Sequence, residues 1–409
     1  MASSLNALSK LEVPDDLSEF VDGCGGHEAL YLTLTSTMDL AARHPTLSSA
    51  VALVGGLCLL LDTTMAVVAP DTLPHLLSHG LIPPLVLALG IVGPSSLAHP
   101  SGVPFPIVIR TLTSMLCVRP GYPWVEQALR AGLLSQLMFW GSKPGIMQDG
   151  PPEVTENFPE LLEVVLPQAL VFYPIIVEMR KAFANVEWPS SDGELAHSGL
   201  YSNWNDLKAL LDERSTILEV WESKGRPSSM CCKVSPNRDD FRRCSGCQTA
   251  AYCSQACQRA DWTEGHRDDC RLHLAARVSS QTGLPHRHCL FLRILLRMDY
   301  IRLRMPIAID MVRFMAENPD TPLLVDFDYT GGAVKVNVWP LSMVDRAAIG
   351  MPHSQRLARA GGRLVAHSMR FGCEDFRFDA IWPLWASTSE FYDGLKDIAK
   401  IAKGLEGPG

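Results

Sequence analysis

The chain has 409 residues, of which 47% are apolar and 20% charged, and a formal net charge of −8. That is enough apolar surface for two or three packed domains, and the acidic balance excludes a protein that coats nucleic acid through phosphate contacts, which needs surplus Lys and Arg. Seven of the twelve cysteines fall between 231 and 270, and the opening MASSLNALSKLEVPDDLSEF has neither a basic start nor an apolar run. The expectation is therefore a reduced, intracellular protein of the nucleus or cytoplasm, not a secreted disulfide scaffold.

In chain order, residues 1–183 read as a helical domain. Apolar residues recur at helical spacing in LSSAVALVGGLCLLLD, HLLSHGLIPPLVLAL, FPIVIRTLTSMLC, VEQALRAGLLSQLMFW and ENFPELLEVVLPQALVFYPIIVEMRKAF. Residues 72–109 contain no Asp, Glu, Lys or Arg, but Pro74, Pro83, Pro84, Pro94, Pro100, Pro104 and Pro106 interrupt them. A bilayer span needs about 20 continuous apolar residues, so this stretch predicts a buried helical core and no membrane segment. Placing Gly80 on Gly132, an offset of 52, matches Leu77 to Leu129, Leu81 to Leu133 and Leu85 to Leu137. Each copy reads as a helix ended by Gly with another starting almost at once. LLSHGLIPPLVLAL resembles the inner part of an armadillo-type repeat, and a general helical bundle is the other reading.

Residues 184–229 hold a Pro/Gly/Ser/Asp-rich linker, NVEWPSSDGELAHSGLYSNW, and then one amphipathic helix, WNDLKALLDERSTILEVWES. Residues 230–273 carry the cysteine cluster. Residues 274–409 read as an α+β domain. Helix covers HCLFLRILLRMDYIRLRMPIAIDMVRFMAEN. LLVDFDY and AVKVNVW flank a TGG turn as a β-hairpin, RLVAHSMRF supplies a possible third strand, and FYDGLKDIAKIAKGL closes as a helix. Asp326 and Asp328 share one strand face, with Val325, Phe327 and Tyr329 on the other. The pattern predicts a half-buried strand whose carboxylates face water. The pairs His75/His79 and Cys24/His27, and the set His286, His288 and Cys289, contain ligand types but read as surface or core residues. There is no nucleophile elbow, Walker loop or dinucleotide glycine pattern.

The cluster CSGCQTAAYCSQACQRADWTEGHRDDC, residues 244–270, is the one strong chemical signal. Cys244 and Cys247 form C-x2-C, Cys253 and Cys257 form C-x3-C, and His266 and Cys270 form H-x3-C. Zinc takes four N or S ligands at tetrahedral corners, and ligands two or three residues apart share an ion through a tight turn or a helix start. Six ligands do not divide into fours, and Cys231 and Cys232 stand just upstream. A segment this rich in Arg, Asp, Ser and Gln buries too little apolar surface to fold alone. A structural zinc supplies roughly 10–16 kcal/mol in small fingers.

The order C-x2-C, YC-x3-CQ, DW, H-x3-C resembles the MYND-type zinc finger. The resemblance implies two interleaved zinc ions: Cys244, Cys247, His266 and Cys270 on one, and Cys253, Cys257 and an upstream pair on the other. The family has C-x2-C upstream. Here Cys231 and Cys232 are adjacent, and the first family position falls on Ser229. The resemblance also implies that Ser245, Gln258 and Trp262 line a groove for proline-containing peptides, so the partners expected are proteins with such segments. SET–MYND lysine methyltransferases carry the same finger, but their Asn-His-x-Cys-type motif and glycine-rich cofactor strands are missing from this sequence. The arrangement as a whole is similar to fungal MYND-containing proteins without an assigned role. The expected architecture is mainly α: a helical-repeat or bundle region, a small two-zinc finger and a C-terminal α+β region with a hairpin. The expected role is non-enzymatic docking of protein partners.

Overall fold

The computed structural model describes residues 22–44, 50–67, 73–92, 104–118, 121–143, 152–186, 200–223, 242–245, 251–263, 284–343, 364–372, 378–385 and 389–405, with 267 and 270 and without 24, 253, 285 and 320. Helix predominates among them. Two compact units divide the chain: Met1–Leu170, Pro174–Asp212 and Gly372–Phe376 in the first, and Val171–Tyr173, Glu213–Phe371 and Arg377–Gly409 in the second.

The first unit begins with α1 (His27–Arg43), α2 (Ala50–Val67), α3 (Leu73–Ser78), α4 (Ile82–Ile91), α5 (Pro104–Cys117), α6 (Tyr122–Arg130) and α7 (Leu133–Gly141). α8 (Pro152–Glu160) then runs through a π turn at Leu161–Val165 into α9 (Leu166–Ala169), and α10 (Tyr173–Asn185) follows. The two expected repeats are α3–α4 and α6–α7. Gly80 and Gly132 join them at φ 84° and 92°, a left-handed conformation that any side chain would strain. Leu77, Leu81 and Leu85, and their equivalents Leu129, Leu133 and Leu137, are all buried. The repeats stack. α4 packs on α6 and α7, and Trp140 Nε1 donates to Leu89 O at 3.0 Å. A Cβ on Gly90 would lie 3.1 Å from the Gln136 amide, so glycine is what lets α7 approach. A further helix follows each pair, α5 and then α8. Phe105 of α5 lies 4.5 Å, between ring centroids, from Trp140 and 6.1 Å from Phe158 of α8. The unit is thus a stack of short helices around an apolar core. The wide turn after α8 sits between Pro159 and Pro167, where missing N–H donors interrupt the normal ladder. Leu166 N–H reaches back five residues to Leu161 O. No described helix is long and apolar enough to cross a membrane.

α11 (Tyr201–Ser223) starts in the first unit and belongs to the second from Glu213 on. The second unit continues with β1 (Arg242–Arg243), β2 (Ala251–Tyr252), α12 (Gln255–Asp261), α13 (His286–Arg302), α14 (Arg304–Glu317), β3 (Leu323–Asp328), β4 (Lys335–Pro340), β5 (Leu364–Phe371), β6 (Phe378–Trp385) and α15 (Ser389–Leu405). The segment read as one helix after the finger is two, parted at Leu303 (φ −96°, ψ 13°). The expected hairpin is β3–β4, with Asp328 opposite Lys335, and Gly332 takes φ 78° in the turn. The third expected strand is β5. It pairs with β3 in parallel, and β6 adds a fourth strand in the order β4-β3-β5-β6.

This topology corrects the reading of Asp326. β3 is central and buried along nearly its whole length, and Asp326 is only 2% exposed. Its Oδ1 accepts hydrogen bonds from Ser368 Oγ at 2.6 Å and Arg370 Nε at 2.9 Å, and the Arg370 guanidinium also reaches Oδ2. The parallel partner strand satisfies this carboxylate in place of water. Asp328, half-buried, accepts from Thr330 N and Oγ1.

A second buried network ties three elements of this unit. Asp299 of α13 accepts from Arg214 Nη1 of α11 at 2.9 Å and from Tyr329 OH, just after β3, at 2.8 Å. Arg302 Nη2 donates to its other oxygen at 2.8 Å and its Nη1 reaches Glu213. Arg214 and Asp299 are each 1% exposed and Tyr329 is fully buried. The Arg214 guanidinium lies 5.3 Å from the Tyr329 ring centroid. Burial and the Asp299 carboxylate push the Tyr329 hydroxyl well above its ordinary pKa.

Candidate metal centre

Metal geometry starts from a two-stranded antiparallel ribbon, with Arg242 opposite Tyr252 and Arg243 opposite Ala251. The chain leaves β1 and β2 at opposite ends of that ribbon. Cys244 follows β1 directly and is buried, as is Cys270, 26 residues later. Their sulfurs are 3.6 Å apart. A disulfide would need about 2.05 Å. Two thiolates on one tetrahedral zinc, with Zn–S of about 2.3 Å, sit about 3.8 Å apart. The first and last members of the cluster therefore meet at the spacing a shared ion sets, and the donor set fits zinc.

α12 carries Cys257, whose side chain lies outside the described set, and the half-buried Gln258. Its helical path continues through Trp262 and Thr263 in a wider turn, with Thr263 Oγ1 donating to Arg259 O at 3.1 Å. Trp262 is 40% exposed, unusual for so large an apolar ring, and Ser245 is exposed in the turn after Cys244. Cys231, Cys232, Cys247, Cys253 and His266 lie outside the described residues, and among those described no set of three or more metal-type ligands converges.

Elsewhere, His75 is exposed on α3 and His79 sits half-buried in the turn that follows. The side chains of His27 and Cys289, and the residue Cys24, fall outside the described set. His288 is buried against Phe172 and Tyr173, with ring centroids 5.9 and 4.9 Å away. The sequence reading missed the Arg214–Asp299–Tyr329 network. Its visible signal is an arginine in the apolar row Leu207, Leu211, Arg214, Leu218, Trp221, every one of them buried.

The comparisons with known proteins bear on this segment alone. Residues 229–270 match the family described as MYND finger. An F-box protein of Arabidopsis thaliana is 45% identical over 40 residues, which are 10% of this chain and 11% of that protein. The chain therefore spans about a tenth of the length of that relative. No solved structure matches. Residues 229–270 are a MYND-type zinc finger, a zinc-binding module for protein–protein interaction.

Proposed function

We propose that the protein is a non-enzymatic intracellular adaptor whose finger folds on two zinc ions and docks a proline-containing segment of a partner. Cys244, Cys247, His266 and Cys270 hold one ion. Cys253 and Cys257 hold the other with Cys232 and Cys231, the adjacent pair standing in for the family's C-x2-C. The approach of Cys244 to Cys270 supports this interleaving, because it joins the second and fourth of the four ligand pairs, skipping Cys253 and Cys257. Zinc here supplies folding free energy through closed coordination. The residues of the chain do the recognition. The exposed Trp262 offers an aromatic face to a polyproline-like strand, Gln258 one turn earlier offers an amide to its unpaired backbone, and the exposed Ser245 is the third residue that the resemblance assigns to the groove.

The observation that carries the docking proposal is the exposed Trp262 at the end of the cysteine-bearing helix. In fluorescence anisotropy with a labelled proline-rich peptide, Trp262→Ala weakens binding at least tenfold while zinc content stays at two ions per chain. Unchanged binding at full zinc occupancy would remove the groove. Cys232→Ser lowers the metal count from two to one, and a count unchanged in both Cys231→Ser and Cys232→Ser would remove the upstream pair from the site. Saturable S-adenosylmethionine binding would overturn the non-enzymatic reading.

A further inference from the structure

The chain's only adjacent pair of arginines, Arg242-Arg243, stands directly ahead of Cys244, and Ser245 comes next. Among all serines and threonines of the sequence, Ser245 alone has arginine at both the second and the third place before it. Protein kinases choose substrates by charge patterns of this kind, and an arginine fork is well suited to carboxylates beside a substrate cleft. The other serines and threonines with arginine three places back lack the second one. Thr46 has His44 there, Thr113 has Thr111, Ser229 has Pro227 and Ser280 has Val278. Thr113 is also buried.

The fold adds access. Arg242 and Arg243 form β1, so the backbone entering the acceptor is already extended, as a peptide substrate is in a kinase cleft. Cys244 is 2% exposed, with its sulfur 3.6 Å from that of Cys270. Ser245 lies in the turn that follows and is exposed. Burial of the cysteine anchors the segment, while the next residue stays open to solvent.

We propose that Ser245 is a phosphoacceptor for an arginine-directed serine/threonine kinase, and that its phosphate closes the docking groove. In the transfer, Ser245 Oγ attacks the γ-phosphorus of ATP and the bond from that phosphorus to the bridging oxygen breaks. ADP leaves, and the hydroxyl proton passes to the kinase's catalytic aspartate. The product carries about −1.5 to −2 charge at pH 7 and three acceptor oxygens. The closure rests on the docking reading, in which Ser245 lines the groove with Gln258 and Trp262. A hydrated dianion there resists the desolvation that a proline-containing segment imposes.

The test incubates the full zinc-loaded chain with ATP and the catalytic subunit of cAMP-dependent protein kinase, and maps the product by mass spectrometry. One phosphoryl group per chain is expected, on Ser245 and absent in Ser245→Ala. At equal zinc content it forms at least tenfold more slowly in Arg242→Ala/Arg243→Ala, and several-fold more slowly in Arg242→Lys/Arg243→Lys, which keeps both charges. Phosphate on other residues only, phosphate on Ser245 only after a chelator has removed the metal, or a rate indifferent to both arginine variants would overturn the assignment. Binding of the labelled proline-rich peptide falls at least tenfold on phosphorylation and returns on phosphatase treatment; unchanged binding would overturn the closure. A chain that takes the phosphate but binds no peptide in either state upholds the acceptor and sinks the docking reading together with the closure.

Discussion

Replacing Asp299 by Asn keeps the side chain's shape and removes its charge, and the consequence can be worked from the network. A guanidinium keeps its charge inside a protein, and that of Arg214 is 1% exposed. Its remaining carboxylate neighbour is Glu213, whose Oε1 is 3.2 Å from Nη1 but too poorly aligned for a hydrogen bond. Among the described residues its Nε and Nη2 already meet no acceptor. Removing one partner of a buried pair costs about 3–5 kcal/mol, and the nearby Glu213 places this case at the lower end, about 3 kcal/mol. For a unit of this size that is a fall of about 6–12 °C in melting temperature. Differential scanning calorimetry of the zinc-loaded chain would read it on the transition of the second unit. Arg214→Met/Asp299→Leu/Tyr329→Phe, which replaces the whole buried set by apolar groups, recovers most of the loss. If Asp299→Asn melts within about 1 °C of the parent, the network does not hold α11, α13 and β3 together and the reasoning fails.

Two further outcomes follow from the same unit. Tyr329 has its ionisation raised by burial, so its contribution to stability is complete below about pH 10, the ordinary tyrosine value, and is lost as the pH rises above that toward the folded value. Tyr329→Phe is less stable at neutral pH but loses less of its stability between pH 9 and 11 in urea titrations; equal alkaline slopes would refute this. Replacing residues 224–283 by a short Gly/Ser linker leaves the melting of the second unit within a few degrees of the parent, and collapse of that transition would show that the finger is part of its core.

The helical repeats were legible because both signals are local. A glycine forced to positive φ and leucines at fixed offsets need no knowledge of partners. The finger was legible because metal ligands must be close in sequence when the segment has little core. What escaped notice depends on pairing between distant segments. β6 carries Pro383, which argues against a strand, but it lies at the sheet edge opposite Ala366, where a missing N–H costs least. Asp326 alternates with apolar residues as a solvated face does. Only the parallel pairing of β3 with β5, which sets it opposite Ser368, reveals why it can be buried. Arg214 has the same character. Its place in an apolar row is visible in the sequence, but the aspartate that allows it lies 85 residues away.

The contacts between α11 and α13 have a consequence for how the finger is mounted. Arg214 meets Asp299, and Trp221 meets Phe291 with ring centroids 5.4 Å apart. Moving seven residues forward on α11 moves the partner eight residues back on α13, so the two helices run antiparallel. The end of α11 at Ser223 and the start of α13 at His286 therefore sit at the same end of a helical hairpin, and the finger is carried in the connection between them. An insertion of this kind asks little of its host: the ends are held by a buried ion pair and an edge-to-face pair of rings, and the inserted segment brings its own source of folding free energy in the metal. Zinc loss should then disorder the finger while the hairpin persists. Surface residues such as Trp262 can vary with the partner without disturbing the Asp299 network, which is built from Arg214, Arg302 and Tyr329.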